Sequence, residues 1–138
     1  MTNELFGMLI CVQDTECEIR ILDSKIQELE TNLMPNGIRY DLDKIQSSPS
    51  DQMSKIMSTI VDLKKEREKL VDKLAESVIS VSMLIDQLDN PMERVVMTYR
   101  WVQSMKIEDI AEKMDKSVRW VNYLQASGIK KLEEKIKK

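Results

Sequence analysis

The sequence predicts an all-α protein: an N-terminal long antiparallel helical hairpin of coiled-coil type, followed by a helix-turn-helix domain. Three observations carry this. Three glycines and three prolines in 138 residues, with 33% of residues charged, leave few places to turn and many strong helix formers. Apolar residues recur at heptad spacing through two long stretches of the first 89 residues. Near the C-terminus, an amphipathic run from Ile107 to Met114 meets the turn Asp115-Lys116-Ser117, and a second helical run begins at once. Residues 1–89 are expected to form the hairpin, an oligomerisation or interaction module, and residues 90–138 the helix-turn-helix domain.

The first helix follows from the seam Leu5, Met8, Val12, Thr15, Ile19, Leu22, Ile26, Leu29 and Leu33, which only Thr15 breaks. Its length is about 30 residues, or roughly 45 Å at 1.5 Å per residue. Phe6, Leu9 and Ile10 widen the stripe, so this end meets more than one neighbour. Met34-Pro35-Asn36-Gly37 stops the helix, because proline cannot continue it and Asn-Gly favours a turn. The stretch to Ser50 is polar, with Tyr40, Leu42 and Ile45 as anchors. Ser48-Pro49-Ser50-Asp51 has the composition of a helix start, and a second seam runs through Met53, Ile56, Ile60, Leu63, Arg67, Leu70, Leu74, Ser77, Val81, Leu84 and Leu88. From Val78 to Leu88 the helix is apolar nearly all round, because Ile79, Met83 and Ile85 lie off the seam; burial against the C-terminal domain is expected. Helices with one apolar stripe are not stable singly in water, so the hairpin is expected to pair and also to dimerise.

Asn90-Pro91-Met92-Glu93 is the clearest boundary, with an Asn cap, Pro at the first position and Glu at the third. A helix from Pro91 to about Gln103 buries Val95, Val96, Tyr99 and Val102 or Trp101. In the two helices that follow, Ile110, Ala111 and Met114 face Val121 and Leu124, and Ser117 stands at the N-cap of the second. Val118, Arg119, Asn122 and Tyr123 are left outside, and three of these four can hydrogen-bond a base edge or a phosphate. The lysine-rich end beyond Leu132 is expected to be a solvated tail.

Charge divides along the same line. Residues 1–90 hold 10 Lys+Arg against 17 Asp+Glu, a balance of −7, and residues 91–138 hold 11 against 7, a balance of +4. A basic module on an acidic one offers one end to a polyanion, and two copies would strengthen the grip. Cys11 and Cys17 are off one another's helical face, and histidine is absent, so neither a redox pair, a metal site nor a catalytic base is suggested. No run of about 18 uncharged apolar residues exists, and no leader pattern, so a cytoplasmic protein without a membrane segment is expected.

Met92 to Leu132 resembles region 4 of the bacterial sigma factors. Tyr99-Arg100-Trp101 stands where that region has a Leu-Arg-Tyr-type motif, and Ser117, Val121, Gly128 and Leu132 fall on its Ser/Thr, branched, small and Leu positions. The whole chain is similar to small phage and prophage proteins of Gram-positive bacteria, the ArpU/RinA-type sigma-region-4-like transcriptional regulators. Asp43 to Ile60 (DKIQSSPSDQMSKIMSTI) looks like the loop and helix start of that family, so the resemblance covers about residues 40–132. It implies promoter-region DNA binding in control of phage genes, with base reading at Val118, Arg119, Asn122 and Tyr123. Ser127 stands where that family usually has a basic residue, and Lys106 where a Ser or Thr usually caps a helix. The promoter-melting parts of a full sigma factor have no counterpart, so action as a complete sigma factor is not expected.

The leading expectation is a sequence-specific double-stranded DNA-binding transcriptional regulator, not an enzyme, without cofactor or metal. Lys116, Lys130 and Lys131 would neutralise phosphates beside the base-reading set, with Ser117 and Ser127 on the same helix. Homodimerisation is expected, and RNA polymerase or a sigma factor is a further partner through the coiled coil. Two alternatives stand beside it: a DNA-packaging protein like phage small terminase subunits, and a coiled-coil adaptor binding RNA polymerase.

Overall fold

The computed structural model describes residues 2–33 and 48–137, and all regular structure among them is helical. Helix α1 spans Asn3–Glu28 and ends in a π-helical turn, Leu29–Leu33; α2 spans Ser48–Ile85. Helix α3, Pro91–Met97, runs into a second π-helical turn, Thr98–Val102, and α4, Ile107–Met114, precedes α5, Val118–Lys137. Tyr40, Leu42 and Ile45 lie outside the described residues. Acidic residues occupy the first turns of α1, α2, α3 and α4, and lysines the last turns of α1, α4 and α5, as the helix dipole favours.

Local chemistry explains the ends. Thr2 Oγ1 accepts from the Leu5 N–H at 3.3 Å, and Asn90 Oδ1 from the Met92 N–H at 2.9 Å, with Pro91 at the first helical position. After α2, the carbonyls of Leu88 and Asp89 accept from Arg94 Nη1, the latter at 3.2 Å. Lys106 has extended cap geometry, φ −74° and ψ 151°, but no side-chain oxygen to give the start of α4. Lys106→Ser is therefore expected to raise stability by about 1 kcal/mol in urea denaturation.

The described residues of Met1–Thr15 and Leu74–Lys138 form one compact unit. Its larger core joins Leu5, Leu9 and Val12 of α1 to Val81, Leu84, Ile85 and Leu88, to Met97 and Trp101, and to Leu132 of α5. Its smaller core is Val96, Ile110, Ala111, Val121 and Leu124, with Tyr99, Met114 and Trp120 half-buried against it. Successive residues Val96 and Met97 thus serve different cores, and α3 is covered on both sides. The boundary expected between residues 89 and 90 falls inside this unit: a helix begins there, but packing continues across it, because the apolar ends of α1 and α2 cover Met97, Trp101 and Leu132.

Gly128 sits where α5 touches α3. A Cβ there would lie 3.0 Å from Met97 Cγ and 3.2 Å from its Sδ, and Met97 is fully buried. Gly128→Val is expected to cost about 1–3 kcal/mol in denaturation, the crowding outweighing the roughly 1 kcal/mol that a helical glycine forfeits.

One expectation about this unit changes. Ile79 and Met83 are 58% and 65% exposed, because the inward side of α2 is taken by Leu74, Val78, Val81, Leu84 and Ile85, with Leu88 just beyond the helix. Residues beyond Leu132 continue α5, its last-turn Lys135 and Lys137 exposed, while Ile136 packs half-buried on the larger core.

The described residues of Glu16–Lys73 form the second unit. Leu22, Ile26 and Ile60 are buried in it, while Ile19, Leu29, Ile56, Leu63 and Leu70 are half-buried. Lys64 pairs with Glu30 at 2.9 Å and Arg67 with Asp23, so the two helices run antiparallel here. Arg67, an interruption of the apolar seam, is thereby given an acidic partner. Both pairs are half-exposed and contribute little to stability. No helix among the described residues is long and apolar enough to cross a membrane.

Candidate functional site

The most chemically varied exposed ridge is built by the turn between α4 and α5. Asp115 ends α4 in the left-handed conformation, φ 56° and ψ 47°, and the N–H groups of Asp115 and Lys116 donate to Glu112 O at 3.2 Å and Ala111 O at 2.9 Å. Two residues later Ser117 Oγ accepts from the Trp120 N–H at 3.0 Å, satisfying a donor that the start of α5 would leave orphaned. The turn is thus closed by backbone bonds at one end and a hydroxyl cap at the other.

With α5 started at Val118, helical periodicity sorts its side chains. Val121, Leu124, Gly128 and Leu132 are buried. Val118, Arg119, Asn122, Tyr123, Ala126 and Lys130 are exposed on the other face, Tyr123 at 70% and Val118 at 43%. A shallow groove along the helix is lined by Asn122, Gln125, Ala126, Ile129, Lys130 and Glu133, so Asn122 and Lys130 share one concave strip. Lys116 is exposed with its Nζ 5.4 Å from the Trp120 ring centre, and Trp120 itself lies half-buried against the smaller core. Guanidinium, amide, phenol and ammonium groups therefore stand together on one side of a rigid helix.

Ser127 and Lys131 are placed differently from the other expected contacts. Ser127 Oγ donates to Glu93 Oε2, and Lys131 Nζ donates to both Glu93 oxygens at 2.9 and 3.1 Å. The Glu93 side chain is 3% exposed, that of Lys131 47%. Burial on its own pushes the Glu93 carboxyl up; the hydrogen bonds from Ser127 and Lys131 and the charge of Lys131 together outweigh it, and the pKa is held below the ordinary glutamate value. These two α5 side chains, expected to face a ligand, tie α5 to α3. In the sequence Glu93 carries only the signal of an acid at the third position of a helix, and its partners lie 34 and 38 residues away.

The ridge can donate to base edges and to phosphate oxygens at once. Among the described residues, no group of three or more His, Cys, Asp or Glu could hold a metal ion. No protein-family model, curated protein or solved structure matches the chain.

Proposed function

We propose that the chain is a sequence-specific double-stranded DNA-binding transcriptional regulator, and that α4, the turn at 115–117 and α5 act as a helix-turn-helix with α5 as the recognition helix. One observation carries the reading: Arg119, Asn122 and Tyr123 are exposed on the face of α5 opposite the buried Val121 and Leu124, beside Lys116 and Lys130. A helix of this width enters the major groove, where Arg pairs with guanine and Asn with adenine, while lysines neutralise phosphates. The +4 balance of residues 91–138 supports the same partner.

The half-buried seam of Glu16–Lys73, with Ile21, Met57 and Val61 exposed around it, supports association of two copies through a coiled coil. A dimer would double the phosphate contacts of a weakly charged module. The resemblance to phage and prophage regulators supports a role in promoter control, with RNA polymerase or a sigma factor as a further partner.

Selection of bound duplexes from random DNA at fixed salt, followed by titration of variants, tests the reading. Arg119→Ala is expected to cost about 1–3 kcal/mol on the selected duplex and much less on random duplex, whereas Lys130→Ala weakens both alike and lowers the salt slope by about 1. Failure to retard any duplex at low salt would refute it.

A further inference from the structure

We propose that Val118 is a specificity-determining residue that reads the 5-methyl group of a thymine, so that the recognised duplex carries an A·T pair beside the one contacted by Asn122. The inference rests on the DNA-binding reading of α5 and deepens it. Val118 is 43% exposed at the first position of the helix, and neither hydrophobic core includes it. Packing therefore leaves most of the reason for a branched apolar side chain there unstated. A β-branched residue is also a weaker helix former than the Glu or Gln that suit an exposed first turn.

Its neighbours say what such a side chain would meet. Val118, Asn122 and Ala126 follow one another at i, i+4 and i+8, so a methyl-bearing side chain stands one turn on either side of a single amide, and all three are exposed. Side chains one turn apart are about 5–6 Å from each other, and stacked base pairs are 3.4 Å apart, so an amide at one pair puts the preceding turn against the next pair or two. An amide held bidentate on adenine N6 and N7 is matched in the major groove by only one apolar feature, the thymine 5-methyl. Val118 has two methyl groups and no donor or acceptor, and so rejects the bare polar edges of cytosine and guanine there. Ala126, with one short methyl, reaches less far from the helix and contributes less.

Replacing single thymines of the selected duplex by deoxyuridine removes the methyl and keeps every hydrogen bond. With the full chain, one such replacement is expected to weaken binding about three- to fivefold, the loss of one buried methyl contact. Val118→Ala should bind the parent duplex correspondingly less well and be indifferent to that replacement. Arg119→Ala should bind more weakly still and keep the full deoxyuridine effect. Wild-type binding that is insensitive to every thymine, or a sensitivity that persists unchanged in Val118→Ala, overturns the assignment while leaving DNA binding intact. Absence of binding to any duplex removes both. The wild-type deoxyuridine series needs no variant to fold, and equal melting temperatures of wild type and Val118→Ala verify the comparison.

Discussion

Lys131→Met is expected to destabilise the fold by up to about 3–4 kcal/mol at pH 7, a large effect for a side chain that is 47% exposed. The loss arises at its partner. Glu93, 2% exposed, would keep only the Ser127 hydroxyl, and a buried carboxylate without a counter-charge takes up a proton instead. The ceiling is the free energy of protonating a carboxyl of ordinary pKa, about 4.3, in neutral solution at 1.36 kcal/mol per unit. The pH dependence has a definite sign. In the wild type the folded pKa of Glu93 is depressed, so its contribution is present above the ordinary glutamate range and is lost as pH falls through the folded value. In Lys131→Met burial dominates and the folded pKa rises, so the variant recovers relative to wild type on acidification. Denaturant midpoints between pH 7 and pH 4 should converge. Glu93→Gln in the Lys131→Met background should restore much of the neutral-pH stability, and a double variant no more stable than the single would show that the charge is not the cause.

Leu5→Ala is expected to cost about 2–5 kcal/mol, although Leu5 stands more than 100 residues before α5. It is fully buried and shares a core with Leu88, Met97, Trp101 and Leu132. A fragment of residues 90–138 alone would keep the smaller core around Ile110 and Val121 but uncover Met97, Trp101 and Leu132. That fragment is expected to lack a cooperative thermal transition by circular dichroism, and adding the first helix and the end of the second is expected to restore one. A sharply melting fragment of residues 90–138 would refute the reading that the start of α1 is part of the C-terminal core.

These two expected outcomes separate what local sequence encodes from what it does not. The Ser117 and Asn90 caps, the eight-residue α4 and the inward set Ile110, Ala111, Val121 and Leu124 were legible, because each depends on chemistry within one or two helical turns. The exposed set at 118, 119, 122 and 123 follows from the same periodicity. Periodicity does not place Ser127 and Lys131: both bond to Glu93, a carboxylate more than 30 residues away, while the Lys131 side chain stays 47% exposed. Ile79 and Met83 show the converse, since apolar character all round a helix does not tell which side a neighbour will cover. The packing of Leu5 and Leu9 onto Leu132 is a tertiary pairing that no periodicity encodes.

Asp115 holds a left-handed backbone that costs an L-residue roughly 1 kcal/mol, and the bonds from its own N–H and that of Lys116 to Glu112 O and Ala111 O offset part of that cost. Ala111, whose carbonyl accepts one of these bonds, also shares the smaller core with Val121, so the residue that closes the turn is one that holds α4 against α5. A β-branched residue at position 115, which tolerates this backbone poorly, would therefore disturb the pairing of the two helices as well as the turn itself.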